Sequence, residues 1–143
     1  MKKIKPVIQE DRTGCGLACV AAVAGVTYQQ SKEVAGRLGI SVANDALWSQ
    51  ATYLRRLLKH FDVIAAARSQ PFRSWDSVSD LALLATKWHL ERGWPYWHWT
   101  LFLREDGAAR VLDSKKSLRN HSRTDLGRIK PKWWIPLRRK RAS

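Results

Sequence analysis

The chain has 143 residues, 45% of them apolar and eight of them Trp, which excludes a disordered polypeptide and fits one compact domain with a sizeable core. Two cysteines exclude a disulfide framework and favour a reducing compartment, and no stretch approaches the ~20 apolar residues that a membrane span needs. The formal charge of +14 predicts attraction to an acidic protein or another polyanion, nucleic acid included, without itself defining a function.

The opening "MKKIKPVIQEDR" starts like a signal peptide, but Pro6, Glu10, Asp11 and Arg12 interrupt any apolar region, so a soluble, cytoplasmic protein is expected. Within it "IKPVIQ" reads as a short strand or an extended lead-in. From Cys15 to Ala24 the residues are small and apolar on nearly all sides, which predicts a buried helix stopped by Gly25. "TYQQSKEVAGRLG" predicts a second helix capped by Thr27, with Val34, Ala35 and Leu38 on its apolar side and Gly39 at its end. "DALWSQATYLRRLLKHF" predicts one continuous third helix, with Asp45 as its cap and Leu47, Tyr53, Leu54, Leu57, Leu58 and Phe61 on one broad face.

Extended segments follow. "VIAAA" reads as a strand, "SQPFRSWDSVSD" as a loop with a helical turn, and "LALLATKW" as a strand in preference to a helix. "HWTLFLR" and "ARVLD" flank Asp106-Gly107, a two-residue hairpin signal. "KWWIPL" predicts a late edge strand, because Pro136 has no N–H to give to a ladder. Helices first and antiparallel strands afterwards define an α+β fold. Residues 1–136 are expected to form a single domain, and 137–143 a basic, disordered tail.

The hairpin has a chemical consequence. With Asp106 and Gly107 at the turn, Glu105 faces Ala108 and Asp113 faces Thr100, so His98 and Asp113 become diagonal neighbours about 7 Å apart. An aspartate accepting from imidazole Nδ1 would fix the tautomer that a general base needs. Cys15 follows Gly14 at the start of the first helix, where free N–H groups and the helix dipole favour a thiolate. The same N–H groups could hold an oxyanion, with the side-chain amide of Gln9 as a second donor. Gly16 would let a substrate approach the backbone closely.

Each residue also has a plainer reading. Cys15 could be a small core hydrophobe, Gln9 a surface glutamine and His98 a structural histidine. Tyr96 and Trp97 either wall a substrate cleft or pack in the core, while Trp99 reads as core and Cys19 as filler behind the site. Metal is not expected, because His60, His89 and His121 lack any matched ligand spacing, and no cofactor is implied.

Taken together, "QEDRTGCGLACVAAVAG" and "HWTLFLREDGAARVLD" resemble the papain-like cysteine peptidases that process bacteriocin leader peptides, and their small stand-alone bacterial relatives. The resemblance implies a papain-like fold, with N-terminal helices packed on a C-terminal antiparallel sheet. It implies Cys15 as nucleophile, His98 as base, Asp113 as orienter and Gln9 as oxyanion donor. The expected substrate is a peptide or protein with small residues, typically glycine, on the acyl side of the cleaved bond. One departure is Gly14, where the family often has an acidic residue. Deamidation or acyl transfer would use the same apparatus. A reading from a different class is a basic nucleic-acid-binding module, in which Trp- and Arg/Lys-rich stretches such as "KPKWWIPLRRKR" stack bases and contact phosphates.

Overall fold

The structure, a computed structural model, describes residues 3–140. Residues 3–10 run extended and carry no regular hydrogen-bond ladder. Helix α1 spans Cys15–Ala24 and is buried along nearly its whole length, as its lack of any polar face requires; Gly25 ends it in a left-handed conformation (φ 72°). Helix α2, Tyr28–Arg37, starts with a capping box: the Thr27 side chain accepts from the Gln30 amide, and the Gln30 side chain accepts from the Thr27 amide.

The expected third helix is broken in two. A 3-10 turn covers Asp45–Trp48, and helix α3 begins only at Thr52 and ends at His60. Asn44 caps the turn by accepting from the Ala46 amide, while Asp45 turns outward to Arg12 at 2.7 Å. The Leu47 carbonyl accepts from the Tyr53 hydroxyl at 3.0 Å. That tertiary bond takes an acceptor that a continuous helix would have used for its own ladder, and the apolar spacing of the segment could not reveal it.

The strands are β1 (Val63–Ala65), β2 (Gln70–Pro71), β3 (Leu81–Glu91), β4 (Trp94–Glu105), β5 (Ala108–Leu112), β6 (Ser122–Arg123) and β7 (Pro131–Arg139). They form one antiparallel sheet in the order β1-β7-β3-β4-β5-β6, with β2 also paired to β7. Three helices packed on a seven-stranded antiparallel sheet make the expected α+β architecture. Among the described residues no helix is long and apolar enough to cross a membrane.

Two expectations fail at the C-terminal end. Strand β7 lies inside the sheet, between β3 on one side and β1 and β2 on the other. Pro136 is tolerated because the N–H and C=O of an extended residue point to the same side. Its carbonyl accepts from Ala66 at 2.9 Å, so the missing donor faces the β1–β2 connection and not the β3 ladder. The tail assigned from residue 137 also begins too early: Leu137, Arg138 and Arg139 pair with Ala65, Ile64 and Val63, and Leu137 is buried. Residues 141–143 of that tail lie outside the described residues.

The main core lies between the helices and one sheet face, and joins Leu17, Val20, Leu54, Leu57, Leu83, Trp99, Leu101 and Ile135. Trp97, Trp99 and Trp133 meet edge to face in it, with ring centroids 5.0–5.6 Å apart. A smaller cluster on the other face gathers Val78, Leu84, Phe102, Val111 and Trp134 under Trp75, whose ring stacks on Phe102.

Helix α1 approaches α3 so closely that a Cβ on Gly16 would stand 2.3 Å from Tyr53 Oη and 2.8 Å from Leu54 Cδ2. Tyr53 is buried and hydrogen-bonded and has no room to retreat. Gly16→Ala would favour an isolated helix by roughly 1 kcal/mol, yet it is expected to destabilise this protein by about 1–3 kcal/mol through overpacking. A urea-unfolding comparison checks this, and an unchanged or raised midpoint would refute the close α1–α3 contact.

Candidate active site

The β4–β5 hairpin turns at Asp106 and Gly107, both with positive φ (51° and 78°), as a two-residue turn of this twist requires. Glu105 pairs with Ala108 and Leu101 with Leu112, which is the register read from the sequence. Beyond the last ladder pair, His98 Nε2 reaches diagonally to within 2.8 Å of Asp113 Oδ1. The bond uses Nε2 and not the expected Nδ1. Asp113 is a diagonal neighbour, and the far end of the ring is what reaches across to it.

Cys15 arrives from the opposite layer. Its Sγ accepts from the amide of Trp99, the residue after His98, at 3.5 Å. The sequence separation of 84 residues is closed by α1 packing on β4. No side chain caps α1, so no capping group occupies the N–H donors of its first turn. Cys15 is 0% exposed and Cys19, one turn on, is buried behind it. Burial, with smaller contributions from Cys15 and Asp113, pushes the Cys19 thiol well above its ordinary range.

The pair is electrically asymmetric with its surroundings. Burial works against a charged imidazole, but the hydrogen bonds and charges of Asp113 and Cys15 outweigh it and raise His98 to about 9. Burial likewise opposes the Asp113 carboxylate, yet the His98 bond and charge, the Lys115 amide and Arg123 lower it to about 2. With the Asp113 side chain 2% exposed and that of His98 16% exposed, the pair is screened little by solvent.

Gln9 is tied down on three sides. Its backbone amide donates to the Ser114 carbonyl at 3.0 Å, and its Oε1 accepts from Ser114 Oγ at 2.8 Å. Its Nε2 donates to the carbonyls of Asp11 at 3.0 Å and Arg12 at 3.2 Å. Gln9 thus links the segment before Cys15 to the residue after Asp113, and it must release a loop carbonyl before it can donate to an oxyanion. Asp11 in turn accepts from Tyr28 Oη (2.6 Å) and Lys32 Nζ (3.1 Å), which anchors the loop on α2.

The two glycines expected to serve a substrate have packing neighbours instead. The space beside Gly14 holds the Tyr28 hydroxyl, 2.1 Å from where a Cβ would stand, and that beside Gly16 is filled by Tyr53 and Leu54. Tyr96 and Trp97 do line a cleft next to His98, of about 210 Å³, together with Trp48, Lys87, His89 and Glu91. Trp97 serves both alternatives at once, since it also belongs to the main core. Tyr96 stands edge-on to Trp48, with ring centroids 6.2 Å apart, so the 3-10 turn supplies the facing wall.

Sequence reasoning missed the outer partners of Asp113. Arg123 reaches its Oδ2 at 3.2 Å, the Lys115 amide donates to Oδ1 at 3.2 Å, and His121 Nδ1 bonds its carbonyl at 2.8 Å. These come from a two-residue strand and irregular backbone, which have no periodicity to detect. The β3–β4 turn at Arg92-Gly93, again with two positive φ values, was also missed; Gly93 was its one readable signal.

The pair gives stability a defined pH window. Asp113 has a folded value below its unfolded ~3.9, so its contribution is present above that and is lost as pH falls toward about 2. His98 has a folded value above its unfolded ~6.5, so its contribution is complete below that and is lost as pH rises through about 9. Wild type is expected to exceed His98→Ala in urea midpoint by more at about pH 5.5 than at about pH 10, roughly one pH unit to either side of the ~6.5–9 interval. A difference that does not change between these two values would refute the buried ion pair.

No protein-family model matches the sequence, and no curated protein does. Among solved structures, the chain is similar to a double glycine motif protease from an AMS/PCAT transporter, in a crystal structure in complex with the leader peptide. The TM-score is 0.62 at 14% identity, over 96% of this chain and 93% of that one. At that identity the likeness concerns the fold, and the fold of this chain is papain-like.

Proposed function

We propose that this chain is a papain-like cysteine peptidase, with Cys15 as nucleophile, His98 as acid and base, and Asp113 as the group that orients His98. The observation that carries the reading is the cluster of Cys15, His98 and Asp113, in which one ring nitrogen is held at 2.8 Å by the carboxylate and the buried thiol lies against β4, its Sγ accepting from the Trp99 amide. The double glycine motif protease of the same fold, solved with a leader peptide, supports a peptide substrate.

In the proposed reaction the Cys15 thiolate adds to the carbonyl carbon of the scissile bond. The N–H groups at the start of α1 stabilise the oxyanion. Gln9 joins them by giving up its longer bond, the one to Arg12. His98 donates its proton to the leaving amine as the C–N bond breaks, which leaves a thioester on Cys15. His98 then takes a proton from water, the hydroxide adds to the thioester carbonyl and expels the Cys15 thiolate, and the acid product departs with thiolate and imidazolium restored. The full burial of Cys15 supports small residues on the acyl side, since a bulky side chain beside the carbonyl could not follow it to the sulfur.

The test is cleavage of synthetic peptides with either Gly-Gly or Leu-Leu before the bond, combined with mass-spectrometric alkylation of each cysteine. The Gly-Gly peptide is expected to be cut and the Leu-Leu peptide not; Cys15→Ala should abolish turnover. His98→Ala should lower turnover by about 10²–10⁴-fold. Turnover that survives Cys15→Ala, or alkylation of Cys15 at pH 6 that is slow and indifferent to His98→Ala, would exclude the peptidase reading.

A further inference from the structure

We infer that Arg123 is a positioning residue of this site: from β6 it holds the Asp113 carboxylate in the one orientation that presents Oδ1 to His98. This rests on the reading of Cys15, His98 and Asp113 as the reacting groups.

The geometry divides the two oxygens of Asp113 cleanly. Oδ1 accepts from His98 Nε2 at 2.8 Å and from the Lys115 amide at 3.2 Å. Oδ2 accepts from Arg123 Nη1 at 3.2 Å. Without a partner on its second oxygen, a buried carboxylate could swing to intermediate settings of its broad terminal torsion, in which neither oxygen meets the imidazole squarely. An arginine at Oδ2 makes one setting better than the others.

Arg123 is itself held in place. Its Nε donates to Asp125 Oδ1 at 3.0 Å and its Nη2 to Asp125 Oδ2 at 2.8 Å, a two-point contact that uses the planar fork of the guanidinium. Its side chain is 19% exposed. The backbone of the same segment grips Asp113 as well: the Asp113 amide donates to the His121 carbonyl at 2.9 Å, and His121 Nδ1 bonds the Asp113 carbonyl. Residues 121–125 therefore form a strap around Asp113, in which His121 sets its backbone and Arg123 its side chain. Ladder pairs from Ser122 and Arg123 to β5 already attach the strap to the sheet, so the Arg123 side chain is not needed to hold β6 in place.

A purely electrostatic role makes the opposite prediction. The charge of Arg123 opposes a proton on the nearby His98, so its removal alone would favour the charged imidazole. Loss of position would instead weaken the grip of Asp113 on His98.

The experiment is the pH profile, from 4 to 10, of iodoacetamide alkylation at Cys15 in the full chain, with Cys19 followed in the same spectra as an internal control. Arg123→Ala is expected to lower the Cys15 rate at pH 6 by about ten- to a hundredfold, up to the ~10²-fold that a misplacement of 1 Å can cost. Arg123→Lys should recover most of that loss, and Asp125→Ala, which frees the arginine, should lower the rate in the same direction but less. In an Asp113→Ala background the Arg123→Ala change should shrink to less than about twofold, because a residue acting through Asp113 has nothing left to position. An equal loss in both backgrounds, no loss in the first, or a faster rate at pH 6 would overturn the role. If Arg123→Ala fails to fold, the lysine variant and Asp125→Ala decide, and wild-type rates at both would overturn it. A wild-type Cys15 that is slow and indifferent to His98→Ala removes the catalytic reading, and the role of Arg123 with it, by a result that no Arg123 variant can mimic.

Discussion

A carboxylate that is almost wholly buried and must stay charged constrains everything near His98. Stripping either partner from such a pair leaves an uncompensated charge, at a typical cost of about 3–5 kcal/mol. Asp113 is therefore surrounded by donors: the imidazole, a backbone amide and a guanidinium. Each comes from a different segment, so one side chain binds together β4, the chain following β5, and β6. The connection reaches further through Ser114 to Gln9 and the loop ahead of Cys15. A network satisfied this fully specifies one arrangement of the groups around His98.

The sheet explains how the remaining side chains take their places. Alternation along β4 sends Trp97 and Trp99 into the helix-facing core and leaves His98 at the edge of the cleft. Trp133, on the adjoining part of the sheet, completes the aromatic cluster that α1 rests against. A rigid aromatic floor of this kind fixes the height of α1, and hence of Cys15, over the imidazole. The tight contact of Gly16 with Tyr53 fixes the same helix from its other side.

Much of this was legible from local chemistry. Asp106-Gly107 determined the β4–β5 register, and the register brought His98 to Asp113 before any tertiary contact was known. Gly25, Thr27 and the apolar run of α1 marked helix ends through caps that depend only on neighbouring residues. What stayed hidden depends on distant partners. Tyr53 captures the Leu47 carbonyl and breaks a helix whose spacing was continuous. Ala66 takes the carbonyl of Pro136, which lets a proline sit in an inner strand. Arg123 belongs to a strand of two residues, too short for any pattern, and the choice of Nε2 over Nδ1 follows from a diagonal approach that spacing alone leaves open.

Strand β7, at residues 131–139, follows β1, β2 and β3 in the sequence, yet it occupies an inner position between them in the sheet. On the ribosome the segments of β1, β2 and β3 emerge well before the strand that joins them, and Cys15 emerges long before His98. Until His98 emerges, the nascent chain carries the Cys15 thiol without its imidazole neighbour. Non-local pairing of this kind is slow to form and is completed late. The order of synthesis therefore delays assembly of the candidate site until the sheet can close.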